Sequence, residues 1–367
     1  MFKVNKQKKQ TDLFNNWPNI PSFEERLSKL CRSSHRVAYF YEFPDNSTFR
    51  YRVYNMIQAL ESKKGFSASF FTNEDSERLN KVIEKTDVFV ICRSRYTHNL
   101  NQAITKAKLM GKRVIFDIDD LVFDLSYMHL VLNTLDQELN HPSVWDTWAA
   151  SFGRMFTTLS LCDEVITTND FLANQIKKLV NKPTHVIPNF MNKEQVEFSE
   201  TLYKSKISNN FSRDKFFHIG YFSGTPTHNK DFAVAADALY MLLEKYQNLK
   251  LIIVGFMDIK GPLLKYSNRI EKQPLQNFVE LQYLMSKAEI NIIPLQDNDF
   301  TNCKSELKYF EAGITGTLSV ATPTFTYSNA IREGENGFLA NSYEWYEKLT
   351  YVIDNFDDIS KAVGEKA

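Results

Sequence analysis

The chain has 367 residues, 43% of them apolar and including 29 Phe and 17 Tyr, enough for two cores of ~150 residues each rather than one. Lys plus Arg and Asp plus Glu both number 44, so the basic surplus of a nucleic-acid binder is missing and nucleic acid is not expected as a partner. No run of ~20 apolar residues marks a membrane span. Residues 1–30 lack the apolar core of a signal peptide, and Cys31, Cys92, Cys162 and Cys303 form no CxxC pair, against a disulfide framework or a zinc site. A reducing, cytoplasmic setting is expected. The lysines at 3, 6, 8 and 9 read as a solvated end or as a weak peripheral attraction to anionic lipid at the inner face of the cell membrane.

In chain order, residues 1–30 are polar and broken by proline. Val37–Tyr41 reads as a strand, a Pro/Asp/Asn/Ser loop follows, and Tyr51–Leu60 reads as a helix. Strands are then expected at 66–71, 87–92 and 113–117, with helices at 76–84 and 100–110. An aromatic helix over 144–161, a strand at 164–167, a helix at 170–179 and a strand at 184–187 complete the first unit. Residues 192–214 are polar and poor in strand signals, which suits a linker. The pattern restarts with strands at 216–222 and 249–254, a helix between them at 231–246, a helix at 275–287 and a strand at 290–294. A helix over 304–312 and a strand at 317–321 follow. Strands alternating with helices at this spacing predict parallel βαβ units, hence an α/β chain of two doubly wound domains. The expected division is 1–208, 209–350, and a closing helix at 351–367 that packs back on the first domain.

Ligands of such sheets bind at the carboxyl ends of strands, so three loops carry the chemistry. Ser223, Gly224, Thr225, His228 and Lys230 leave the opening strand of the second unit. Small residues there let backbone amides turn to an anion, and Lys230 adds charge, which suits a diphosphate; a plain polar turn with a helix cap at Asn229 or Asp231 is the other reading. Asn302, Lys304 and Ser305 precede Glu311 on the later helix. If that helix starts at Lys304, Glu311 shares its face two turns on and can accept from a ribose hydroxyl, or else Lys308 and Glu311 are an ordinary surface pair. Asp117, Asp119 and Asp120 end a first-unit strand; they fit a divalent cation, sugar hydroxyls, a base, or a solvated turn. Arg50 and Arg52, in the loop after the first strand, can reach the cleft from the acceptor side.

With Val186–Asn189, Gly220–His228, Leu251–Gly255, Lys304–Gly313, Gly316 and Glu333–Gly337 in this order, the sequence resembles the retaining family 4 glycosyltransferases over roughly residues 36–355. It looks most like the members of bacterial polysaccharide synthesis that carry an SGTxTHxxDF loop, here Ser223–Phe232, and a KSxLKxxE helix, here Lys304–Glu311. The resemblance implies the GT-B architecture, two facing Rossmann-like domains about a cleft. It also implies a hexosyl- or deoxyhexosyltransferase that takes a UDP-, GDP- or dTDP-sugar as donor and a glycan, often lipid-linked, as acceptor. Glu311 matches the family glutamate that binds ribose; Cys303 stands where a second, sugar-contacting glutamate is usual, leaving Lys304 or Asn302 to take over. Asp117–Asp120 occupies the region where many relatives present a histidine near the reaction centre. Lysines in place of a cation imply that no metal is required. A metal-dependent transferase built on Asp117, Asp119 and Asp120, a sugar-nucleotide epimerase and a non-catalytic glycan-binding subunit remain the alternatives.

Overall fold

The computed structural model describes residues 1–4, 20–45, 47–135, 137–223, 229–255, 257 and 259–363. Two parallel six-stranded sheets organise them. The first contains β1 (His35–Phe40), β2 (Phe66–Phe71), β3 (Val88–Cys92), β4 (Arg113–Ile118), β5 (Glu164–Thr167) and β6 (Thr184–Val186), in the order β2-β1-β3-β4-β5-β6. The second contains β7 (Phe217–Phe222), β8 (Leu249–Val254), β9 (Ile270–Gln273), β10 (Ile290–Ile293), β11 (Leu318–Ala321) and β12 (Phe338–Leu339), in the order β12-β11-β10-β7-β8-β9.

Both orders reverse beside the strand that opens the sheet, between β1 and β3 and between β7 and β10. Those reversals create a crevice at the carboxyl ends, where ligands of doubly wound sheets sit. The strands read as near-continuous apolar runs because helices cover both faces. Ala38 and Phe40 face one core with Phe89, Ile91 and Phe116. Val37, Tyr39 and Tyr41 face the other with Val90 and Ile57. In the second sheet Ile219, Tyr221, Leu251, Ile253 and Ile292 share one core, while Phe222, Ile252 and Val254 face another. Each fully buried aliphatic or phenyl side chain contributes roughly 1.5–3 kcal/mol.

Three expectations are corrected and one strand is added. The stretch 192–214 is largely a helix, Lys193–Ser208, capped by Asn192, and it bridges the two units. Its start hydrogen-bonds the first domain, Asn192 to Asn55 at 3.1 Å and Gln58 to Glu194 at 3.0 Å. Its body, through Phe198 and Leu202, packs on Phe278 and Val279 of the second. The carboxy-terminal segment does not return to the first domain: Phe356 lies edge-on to Phe217 at 5.0 Å and Asp357 pairs with Arg213 at 2.5 Å. The amino-terminal residues also cross over, Phe2 donating its N–H to the Lys287 carbonyl at 3.0 Å. Finally, β9 is an additional edge strand whose polar Glu271 and Lys272 conceal it from a hydrophobicity reading.

Candidate active site

The carboxyl-end crevices of the two sheets meet across a cleft, where side chains of the two domains contact each other. On the first domain, the chain after β1 does not stay a loop: Arg50–Tyr54 form a π-helical turn that runs into the helix Asn55–Glu61. The extra residue per turn brings both arginines inward, Arg50 being 5% exposed and Arg52 fully buried. Such π segments recur at functional sites. Arg52 forks onto Asp117, Nε to Oδ1 at 2.8 Å and Nη2 to Oδ2 at 3.1 Å, and donates to the Ile187 carbonyl at 2.8 Å. Burial pushes the Asp117 carboxyl up to about 6 while the Arg52 fork opposes that rise. Arg93 answers the other two carboxylates, reaching Asp119 at 3.1 Å and Asp120 at 2.9 Å. Thr48 donates to Asp119 at 2.8 Å. Burial raises the Asp119 carboxyl above its ordinary range, with Arg93 opposing. Arg93 holds a left-handed backbone, φ 36°, a strained conformation of the kind that concentrates at functional sites. The three clustered carboxylates are thus matched by two arginines. Among the described residues no group of three or more His, Cys, Asp and Glu side chains is arranged to hold a metal ion.

On the second domain, Gly224, Thr225 and His228 lie outside the described residues. Ser223, which follows β7, is buried. Gly255 lets β8 pass against it: at φ +103° a Cβ there would meet the Ser223 carbonyl oxygen at 2.1 Å. Lys230 stands in the first turn of the helix Asn229–Lys245 and donates across the cleft to Asn133 Oδ1 at 2.7 Å.

The expected helix from Lys304 is broken. A short helix Asp299–Asn302 stops at Cys303, and a second, Leu307–Gly313, starts after Glu306. The reason is competition for acceptors. Asn169 of the first domain donates to the Cys303 carbonyl at 2.7 Å, and Thr326 to the Lys304 carbonyl at 2.8 Å. A continuous helix would need both of those carbonyls for itself. Lys304 therefore lies between the helices, not on the face of Glu311, and the shared-face argument fails. Its ammonium sits over the Phe300 ring at 4.4 Å and 3.8 Å from Asp120. Ser305 accepts from Asn189 at 2.8 Å. Asn302 has a structural position, accepting from the Phe325 N–H at 2.7 Å and donating to Asp297 at 3.1 Å.

Glu311 is 1% exposed. Its Oε1 accepts from Arg50 at 3.1 Å and closely from the Tyr51 hydroxyl. Lys308 is not a surface partner of it. It lies 5.2 Å from the Tyr221 ring, and burial lowers its ammonium to about 8, the facing Asp231 and Glu311 opposing and Lys304 adding to the fall. Asp231 in turn accepts from the Gln296 N–H at 3.1 Å. So the segment after β7 and the segment after β10 converge through Tyr221, Asp231 and Lys308. Sequence reasoning did not single out Tyr51, Arg93, Asn133, Gln195 or Lys308 as site residues. The Arg-Tyr-Arg run and the second lysine of Lys304–Lys308 were the available signals. A cavity of about 760 Å³ lined by Arg213, Lys215, Tyr246 and Asp354 lies at the opposite, amino end of β7 and β8.

Two facing Rossmann-like domains with a cleft between their switch points define the GT-B class of architecture. Residues 216–355 match the family model described as glycosyl transferases group 1. Among solved structures, a glycosyltransferase from Rickettsia africae superposes with TM-score 0.59 at 14% identity, covering 90% of this chain and 91% of that one. Sucrose-phosphate synthase from Thermosynechococcus elongatus gives 0.57 at 12% identity, covering 89% and 92%. Anabaena HepE in complex with UDP and glucose gives 0.55 at 14%, again covering 89% and 92%. A search of the curated proteins finds no match in sequence. In the sequence family of its second domain and in the fold of both, the chain is similar to the group 1 glycosyltransferases of GT-B architecture.

Proposed function

We propose that the protein is a retaining hexosyl- or deoxyhexosyltransferase. It takes a UDP-, GDP- or dTDP-sugar as donor and extends a glycan acceptor, in the lipid-linked form used for surface polysaccharides, at the cytoplasmic face of a membrane. The observation that carries the reading is the convergence of Lys304, Lys308 and Glu311 at the second-domain switch point, with Asp120 facing Lys304 from the first. No described helix is long and apolar enough to cross a membrane.

The chemistry is the breaking of a sugar C–O bond to a diphosphate while an acceptor oxygen bonds the same carbon. Charge builds on the departing oxygen, and preorganised cations placed there stabilise the transition state more than the ground state. Lys230, Lys304 and Lys308 supply that charge, with Ser223 and Ser305 beside them at the phosphate and sugar. Glu311 anchors the ribose. In this reading Asp120, 3.8 Å from Lys304, takes up the acceptor hydroxyl proton, with Asp119 beside it. Arg50, Arg52 and Asp117 order the acceptor side. Closure of the cleft excludes water, which would otherwise hydrolyse the donor. The lysines do the work of a cation, so no metal enters the scheme.

A thermal-shift panel of nucleotide sugars identifies the donor, since a ligand of the native state raises its melting temperature. With that donor, Lys304→Ala and Glu311→Ala are each expected to lower transfer about tenfold or more. Near-normal turnover in both variants would remove the assignment.

A further inference from the structure

Four described donor-side groups that face the cleft contact the first domain. Lys230 is held by Asn133 and Ser305 by Asn189. Lys304 faces Asp120, and Glu311 is held by Arg50 and Tyr51. The chemistry of these pairs imitates a nucleotide: a carboxylate stands before the lysine assigned to phosphate, and a hydroxyl with a guanidinium stands on the carboxylate assigned to ribose. The contact at Glu311 is the most deeply buried, with side chains 6% and 2% exposed for Arg50 and Glu311. Arg50 also stacks over Phe278 at 5.2 Å, and Tyr51 meets Phe310 edge-on at 6.2 Å, so two consecutive residues of the π-helical turn insert between two aromatic rings of the other domain.

This contact is incompletely satisfied. Arg50 Nε and Gln195 Oε1 are buried beside it with no hydrogen-bond partner, whereas a permanent interface satisfies nearly all its buried polar atoms. A buried group left unpaired is a cost that another arrangement can relieve.

Resting on the reading of Glu311 as the nucleoside anchor, we propose that Arg50 and Tyr51 form a latch that competes with the donor: they hold Glu311 against the first domain, and a nucleoside diphosphate must displace them to bind. The latch gives the enzyme a reason to release product, because reclosing on Arg50 and Tyr51 expels the spent nucleotide. It also lowers the measured nucleotide affinity by the fraction of molecules in which Glu311 is uncovered.

The test is calorimetric titration of UDP, GDP and dTDP into the wild type, Tyr51→Phe and Arg50→Met. Tyr51→Phe removes one hydroxyl and keeps the ring contact with Phe310, so it carries the test should Arg50→Met fail to fold. The nucleotide that binds the wild type is expected to bind Arg50→Met about tenfold more tightly and Tyr51→Phe several-fold more tightly, as removal of a competing closed state requires. Equal or weaker binding in the folded variants overturns the latch and leaves the donor site standing. Glu311→Gln separates the two ideas: unchanged nucleotide affinity in that variant, or no binding of any of the three nucleotides to any protein, overturns the anchor reading and the latch together.

Discussion

Arg52 is a fully buried charge and Lys308 a half-buried one, and they differ in what surrounds them. Arg52 has a full set of acceptors, the Asp117 fork, the Ile187 carbonyl and Asn189 Oδ1 at 3.2 Å. Removing one member of such a pair strands the other in a poor solvent, so Arg52→Ala is expected to cost about 3–5 kcal/mol, measured by urea unfolding. Lys308 has its neighbours at longer range, and its ammonium falls to about 8. Below that pH it is charged and able to hold a diphosphate; above it the charge is lost. Transfer is therefore expected to decline as pH rises through about 8, and Lys308→Arg, which stays protonated, should move that basic limb upward. A limb that stays in place would assign it to another group.

Two elements depend on single backbone requirements. β8 is followed by Gly255 at φ +103°, packed so closely on Ser223 that a methyl group would overlap its carbonyl oxygen. Gly255→Ala is expected to displace the end of β7 and with it the loop that follows, lowering both the melting temperature and nucleotide affinity. A variant that melts early but binds normally would show that the close approach serves the fold alone. The segment Cys303–Glu306 is the other case. Its break follows from Asn169 and Thr326 claiming the carbonyls a helix would use, and the break turns Lys304 toward Asp120 instead of along the helix.

At the scale of the whole molecule, the helix Lys193–Ser208 ties the domains together and ends in a lysine inside the second core. Lys206 is fully buried, donating to the Gly316 carbonyl at 3.1 Å and to Thr317 Oγ1 at 3.2 Å, under the Phe2 ring at 4.3 Å. Burial lowers its ammonium to about 7, with Glu289 opposing. In unfolded chains lysine titrates near ~10.4, so between about pH 7 and ~10 the unfolded state binds more protons. Stability should therefore rise with pH across that window. In Lys206→Met the part of the slope due to this residue should vanish; an unchanged slope in denaturant titrations would place its origin elsewhere.

Alternation of apolar strands with helices was enough to read two doubly wound domains, because a parallel sheet covered on both faces demands uninterrupted apolar runs. The bridging helix escaped that reading since its buried stripe includes Gln195, Ser199 and Lys206 beside Phe198 and Leu202, polar residues whose partners lie on the other domain. The edge strand β9 escaped for the same kind of reason. Lys304, Glu311 and the Asp117–Asp120 run stood out as chemistry placed after strands. Their connections did not, because they join residues as far apart in the chain as Tyr51 and Glu311. By itself the sequence determined the two doubly wound domains and which chemistry-bearing residues follow their strands, consequences of local periodicity and turn chemistry. Only the tertiary structure decided where the 304–311 helix breaks, which arginine meets which carboxylate, and that Glu311 is held by the opposite domain, since these are set by the meeting of two cores across a cleft.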